Sequence, residues 1–241
     1  MAELDRDLPA NELQDGIPHG WKWRLTTPFT ARSRGRRYAM FMETMQPGPD
    51  ETILDVGVTD ADRRASNFLE AMYPRPGQIT AVALDDAPAF RRLFPEVDVV
   101  VADGRSLPFP DGAFDIGFSN AVIEHVGGRA DQRRYAAELV RTCRRVFIAT
   151  PNSWFPIDPH TLLPLIHWLP RTPRDLLLRA TGNGRWAGEA NLNPLTASQL
   201  RALFPPRVPV RIARQRVAGF TTVLVAIVDA DQRSGARPAL G

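Results

Sequence analysis

Apolar and polar positions follow two rhythms along this chain, and the change between them marks out its elements. From Ala31 to Met45, Tyr38, Phe41, Met42 and Met45 recur at helical spacing, and Pro47-Gly48-Pro49 ends the pattern. The preceding residues 1–30 hold no sustained period. Pro9, Gly16, Pro18, Gly20 and Pro28 interrupt them, so they read as an irregular arm pinned by Trp21 and Trp23. From Thr52 short apolar runs alternate with helical stretches. Strands are predicted at Thr52–Val56, Ile79–Leu84, Val97–Val101, Phe114–Ser119 and Val146–Ala149. Helices are predicted at about Asp62–Tyr73, Pro88–Phe94 and Arg129–Cys143, the last with Tyr135, Leu139 and Val140 facing inward. Repeated alternation of this kind predicts an α/β, doubly wound, mostly parallel sheet covered on both faces.

Beyond Pro151 a proline-rich, aromatic insertion runs to about Pro194. Thr196 to Phe204 resumes as a helix, with Thr196 and Gln199 spaced for a capping box. Val208–Val217 and Thr221–Val228 follow as two strands joined across Ala218-Gly219, a hairpin. The organisation is therefore an arm (1–30), one domain (31–228) with an insertion (151–194), and a polar flexible tail (229–241). No internal repeat is present.

Composition narrows the class. With 241 residues, 44% hydrophobic and 24% charged, the chain can bury a core, which excludes wholesale disorder. The single cysteine, Cys143, excludes an intramolecular disulfide framework and a cysteine-rich zinc site. No apolar run is long enough to span a membrane, and the acidic start from Met1 to Asp7 lacks a signal core, so the expected location is cytoplasmic. The net charge is only +3. The densest basic run, Arg32, Arg34, Arg36 and Arg37, reads as a solvated helix face, and a nucleic-acid partner is not expected.

In a doubly wound sheet ligands bind beyond the carboxyl ends of the strands, where strand order reverses. The residues at those ends are Asp55-Val56-Gly57, Asp85-Asp86, Asp103-Gly104 and Ser119-Asn120. One acid there is accounted for by a helix cap or by solvation. Three on successive strands point to a ligand, because buried acids are costly unless paired. Asp85 stands one strand–helix–strand unit after Asp55, where a carboxylate can accept both hydroxyls of a ribose. A dinucleotide oxidoreductase would need G-x-G-x-x-G at the first turn, and Gly57 is the only glycine there.

These segments resemble the class I S-adenosylmethionine-dependent methyltransferases, and within them the type 11 small-molecule subgroup. The resemblance rests on Ile53-Leu54-Asp55-Val56-Gly57, on Ala83-Leu84-Asp85, on Ala102 through Asp115 with its Leu-Pro-Phe-Pro-Asp-Gly core, and on Ser119-Asn120-Ala121-Val122-Ile123-Glu124-His125-Val126. It covers about Glu51 to Pro151 and implies a Rossmann-like, seven-stranded sheet whose C-terminal hairpin is antiparallel. By position it implies S-adenosyl-L-methionine as cofactor. Asp55 and Gly57 would lie by its methionine part, Asp85 on the ribose, Asp103 and Gly104 by the adenine, and Asn120 beside the methionine end. The family writes Asp-x-Gly-x-Gly-x-Gly, whereas this chain has Thr59 and Ala61 at the second and third glycines. The Thr59 hydroxyl is then expected to help hold the ligand.

The segment after the fifth strand, with Trp154, Phe155, His160, His167 and Trp168, is expected to wall a small-molecule acceptor, or else to form a homodimer contact or an interfacial membrane patch. His125 is the first candidate for a catalytic base and His160 the second. His19 could reach only from the arm. No Cys/His spacing marks a metal site, so none is expected. The activity read from the sequence is methyl transfer to oxygen or nitrogen of a small organic acceptor, a sugar or natural-product scaffold. The alternative is a methyltransferase-fold binding or assembly subunit without transfer activity, motivated by Thr59 and Ala61.

Overall fold

The computed structural model describes residues 21–61, 64–158, 160–188, 191–217 and 219–229. His19, most of the expected arm and nearly all of the tail lie outside them. The chain divides into two compact units, residues 1–44 and 45–241. In the first, helix α1 (Trp21–Met45) begins well ahead of the expected start at Ala31. Pro28, read as a breaker, sits inside it, where a proline removes one backbone donor without ending the helix.

The second unit is built on seven strands in the order β3-β2-β1-β4-β5-β7-β6. They are β1 (Ile53–Val56), β2 (Ile79–Ala83), β3 (Asp98–Val101), β4 (Phe114–Asn120), β5 (Cys143–Pro151), β6 (Val210–Val217) and β7 (Phe220–Asp229). Strands β1 to β5 pair in parallel, and β7 runs antiparallel between β5 and β6. The doubly wound sheet with its antiparallel C-terminal hairpin is the one expected. Strand order reverses between β1 and β4, so their carboxyl ends open the crevice where this architecture binds ligands.

Period-two alternation divides the buried residues between the two faces. Leu54, Val56, Val146, Ile148, Leu224 and Val228 form one core with Tyr135 and Leu139 of α4 (Arg129–Thr142) and Leu200 of α6 (Ala197–Arg201). On the other face Phe118 stacks on Phe147 at 5.7 Å and meets the edge of Phe68 at 5.8 Å. Helix α3 (Pro88–Leu93) follows β2 as expected. Thr196 and Gln199 form the expected capping box on α6.

Further helices differ from the periodicity, α6 among them, which ends at Arg201 and not at Phe204. After β1 only α2 (Phe68–Met72) is α-helical, preceded by a 3-10 turn at Arg64–Ser66. Asn67 is held at φ −111° by the bonds its side chain makes to the preceding loop, and such bonds compete with helix. Within the insertion, α5 (Arg171–Ala180) is a helix the proline content concealed. Its Pro173 stands in the first turn, where no intrahelical donor is lost.

The Leu-Pro-Phe-Pro-Asp-Gly loop is fastened to α4. Arg141 donates to the carbonyls of Leu107 and Phe109 and to Asp111, while Glu138 accepts from Leu107 N at 2.8 Å and pairs with Arg141. Hydrogen bonds from Arg141 hold the Glu138 carboxyl below its ordinary pKa, against a smaller effect of burial. A depressed folded pKa stabilises above the unfolded value, about 4.3, and that contribution is lost as pH falls through the folded one. At neutral pH Glu138→Gln should therefore be the less stable protein, and the gap should close on acidification. Urea midpoints from about pH 6 to about pH 3 check this; a gap independent of pH would show that the pair's charge is not what fastens the loop.

Candidate active site

The loop leaving β1 is shaped by three residues. Gly57 takes φ +103°, and a Cβ there would lie 2.3 Å from Val122 Cγ2. Only glycine satisfies both constraints. Its amide donates to Val82 O on β2 at 2.9 Å. Thr59, in place of the family's second glycine, donates through its backbone amide to Asn67 Oδ1 at 3.0 Å, and its carbonyl accepts from Asn67 Nδ2 at 2.9 Å. Its hydroxyl also turns to Asn67 Oδ1, so it anchors the loop internally instead of reaching toward a ligand. A buried asparagine thus does the shaping that glycines do in the family pattern, and the sequence reading missed it. Asp60 accepts from Ala89 N and Phe90 N, fixing the same loop to the start of α3.

The strand-end acids fall into three environments. Asp55 is only 6% exposed and lies within reach of the charge of Glu70 on α2. Burial, and then the charge of Glu70, push its carboxyl well above the usual carboxylate range, and burial raises Glu70 as well. Two acids in one dry site favour the protonated form over two buried charges. Asp85, beyond β2, is exposed and has no hydrogen-bond or ion-pair partner among the described residues. Asp103, beyond β3, is bound by Arg105 at 2.6 Å, and Arg105 also faces Asp131 at 3.6 Å. Those bonds from Arg105 lower the Asp103 pKa. Gly104 lies where a Cβ would come within 2.4 Å of Tyr135 Cε2. Tyr135 in turn hydrogen-bonds Ser119 Oγ at 2.7 Å and donates to Val56 O at 3.0 Å, tying the exits of β1 and β4 together.

At the exit of β4, Asn120 pairs with Ala149 on β5 and Ala121 turns left-handed at φ 57°. The chain then makes a tight turn, His125 N to Val122 O at 2.8 Å. Gln132 on α4 donates to both Ile123 O and Asn193 O at 2.9 Å, and Asn193 N donates to Glu124 O at 2.7 Å. This frame places Glu124 and His125 at the switch point and brings the insertion back over them. His125 Nε2 and His160 Nε2 face each other at 3.1 Å, and Glu124 Oε1 lies 3.9 Å from His125 Nε2. The two histidines named from sequence, 35 positions apart, are brought together. Glu124 is fully buried, and Thr150 Oγ1 donates to its Oε2 at 2.9 Å.

Each ring is held from its far side. His125 Nδ1 lies 2.8 Å from Asn191 O, and His160 Nδ1 lies 3.1 Å from Asp158 Oδ1. Asp158 is buried, accepts from Thr161 N and Oγ1 at 2.7 Å, and binds His167 Nε2 at 2.8 Å. Burial works against its charge, but the bonds from His160 and His167 hold its pKa below the usual range. Trp186 closes the other side, 5.5 Å from the His125 ring and 5.1 Å from His160. Asp158, Glu124 and Trp186 were missed from sequence, since only the turn after β4 and the return of the insertion bring them close.

Residues 54–146 match a family model described as a methyltransferase domain. That segment is similar to the methyltransferase domains of the class I, type 11 kind. No curated protein sequence matches the chain. Among solved structures, the chain is similar to a protein from Pyrococcus horikoshii OT3 (15% identity, 82% of this chain and 90% of that one, TM-score 0.54). It is also similar to a SAM-dependent methyltransferase from Methanosarcina mazei (15%, 76% and 92%, 0.51). A third is geranyl diphosphate C-methyltransferase from Streptomyces coelicolor A3(2), solved with Mg2+, geranyl diphosphate and S-adenosyl-L-homocysteine (14%, 92% and 90%, 0.54). At such identities these structures share the fold.

The chain's own residues fit the cofactor of this class. Asp85, beyond β2, is an exposed carboxylate without a partner among the described residues and so is free to accept hydroxyl donors, and Gly57 keeps its left-handed backbone despite Thr59 and Ala61. The loop's dependence on Gly57 is open to test. Gly57→Ala should destabilise the protein by about 2–4 kcal/mol, combining a left-handed alanine with the clash against Val122. Adding Val122→Ala should recover only the steric share. Urea unfolding of the single and double variants checks this; full recovery in the double variant would show that the backbone conformation carries no cost.

Proposed function

We propose that the chain transfers a methyl group to oxygen or nitrogen of a small organic acceptor in the cytoplasm, with His125 and His160 at the reacting end. The observation that carries this reading is the pair of Nε2 atoms 3.1 Å apart at the exit of β4, beside the crevice where β1 and β4 diverge. S-adenosylmethionine, when bound, supplies an electrophilic methyl carbon on a sulfonium. Asp85 would hold its ribose hydroxyls, Asp103 and Gly104 would border the adenine, and the Gly57 loop and Asn120 would flank the methionine end.

On the acceptor side, His125 and His160 each turn Nε2 inward, because a carbonyl or carboxylate accepts from Nδ1. Either nitrogen can take the acceptor's proton, and Asp158 would stabilise the imidazolium formed on His160. A cavity of about 310 Å³ is lined in part by Trp154, His167, Trp168, Arg129 and Arg174, and His167 joins it to Asp158. The Trp154 and Trp168 rings are 5.8 Å apart, and both residues are exposed. Arg174 Nη2 is buried without a hydrogen-bond partner. Flat apolar walls with one unsatisfied guanidinium donor suit a ring-bearing acceptor with an anionic or carbonyl oxygen.

Two measurements test the reading. Charge-assisted bonds to two hydroxyls put the effect of Asp85→Ala on S-adenosylmethionine binding at about 2–4 kcal/mol, roughly thirty- to nearly thousandfold in Kd. Calorimetry against Asp86→Ala as control reads this, and undiminished binding in a stable Asp85→Ala protein would remove the ribose assignment. Trp154→Ala should weaken use of the acceptor while leaving cofactor affinity within about threefold. Parallel loss of both would make the segment part of the core.

A further inference from the structure

The cluster at the exit of β4 holds more lone pairs than protons. His125 Nδ1 faces a backbone carbonyl and His160 Nδ1 faces a buried carboxylate, so in the neutral rings both Nε2 atoms are acceptors. They nevertheless meet at 3.1 Å. Glu124, fully buried, has one oxygen satisfied by Thr150, while Oε1 has no hydrogen-bond partner and lies 3.9 Å from His125 Nε2. One donor atom from each of the three residues lies within 4.8 Å of the others. A proton shared by the imidazoles would satisfy that pair and leave Glu124 Oε1 buried and bare. A cation among the three satisfies all of them.

We infer that Glu124, His125 and His160 bind a divalent first-row transition cation, with Zn²⁺ the best-suited ion. Bonds of about 2.0–2.1 Å in a tetrahedral site put donor atoms about 3.3–3.4 Å apart, and the distances of 3.1 and 3.9 Å lie on either side of that spacing. Two imidazoles and one carboxylate match borderline cations better than Mg²⁺ or Ca²⁺, which take all-oxygen shells. The surroundings have the form of a built metal site. Asp158 and Asn191 O orient the two rings from behind, Thr150 orients the carboxylate, and Trp186 shields one side. Three protein donors leave a fourth position open, and the His125 side chain is 29% exposed, so solvent or an acceptor can reach it. The sequence reading expected no metal because no ligand spacing is visible in it; the fold assembles one from residues of the β4 exit and the insertion. Any part in turnover rests on the acceptor reading above, with one change: holding the cation takes up both Nε2 lone pairs, so with the ion bound His125 and His160 are ligands and not proton acceptors, and the cation would favour an acceptor oxygen able to coordinate it. The binding itself stands on the side-chain geometry.

The test uses the full-length, tag-free chain, stripped with a chelator and dialysed against Zn²⁺, with metal content read by elemental analysis and S-adenosylmethionine binding read in parallel. One Zn²⁺ per chain is expected, not displaced by millimolar-range Mg²⁺, together with visible d–d absorption when Co²⁺ replaces it. His160→Ala and Glu124→Gln should lose the stoichiometric ion and the Co²⁺ band. Asp158→Asn should weaken Zn²⁺ binding by about 10–100-fold. A rise in the melting temperature of the stripped wild type on adding Zn²⁺ is expected as well, and it holds as a readout even where a variant fails to fold. Stripped wild type that binds S-adenosylmethionine but takes up no stoichiometric Zn²⁺, or takes it up equally in His160→Ala and Glu124→Gln, would overturn the metal site and leave the methyltransferase reading intact. Zn²⁺ uptake without S-adenosylmethionine binding would leave the site standing and overturn the functional reading instead.

Discussion

The Gln132 side chain, wholly buried on α4, donates to the carbonyls of Ile123 and Asn193, two strands of chain far apart in sequence. The candidate centre depends on that bridge. A turn leaving a strand needs its backbone carbonyls satisfied, and an insertion of some forty residues has many ways to lie. A single buried amide settles both, because leaving either carbonyl unpaired in a dry site costs on the order of 1–3 kcal/mol. With the bridge made, Asn193 N reaches Glu124 O and Asn193 Nδ2 reaches Gly127 O, so the return of the insertion is stitched along the whole β4 turn. His160 and Trp186 are carried in by the same segment.

The strand-end acids differ in burial and in partners. Asp55 with Glu70 is a dry pair in which burial favours the protonated form. Asp85 is open to solvent. Between these extremes, Asp103 is charged and already engaged by Arg105, so any ligand meeting it meets an ion pair, not a lone carboxylate. The Thr59 substitution is explained on the same principle. Glycines make a loop permissive, but a side-chain amide that bonds both the N–H and C=O of one residue can impose a loop shape directly, and Asn67 does this for Thr59.

Much of the architecture was legible from the chain alone. Short apolar runs ending in Asp or Asn between amphipathic stretches predicted the parallel strands β1 to β5, and Gly219 with flanking alternation predicted the final hairpin, because these signals are local and repeat with a fixed period. The boundaries that failed were those where a side chain outside the period intervened. Asn67 shortened the helix after β1, and Pro28 and Pro173 sat where a helix tolerates them.

For the site, the sequence by itself determined which residue types stand at which strand end, and so named Gly57, Asp85, Asp103, His125 and His160. It also implied the methyltransferase class through the loop beginning at Leu107 and the residues after Ser119. Only the tertiary structure decided which of them share a space. The Glu124–His125–His160 cluster is joined by contacts across 35 and 36 positions, with Asp158 behind His160, Thr150 on Glu124 and Asn191 O behind His125. No local period encodes such contacts. They exist because β4 and β5 lie side by side, because Ala121 turns left-handed between them, and because the insertion is pinned back by Asn193 and Gln132. Periodicity reports which face a residue occupies, whereas the lone pairs that meet over that face depend on how distant segments are hydrogen-bonded together.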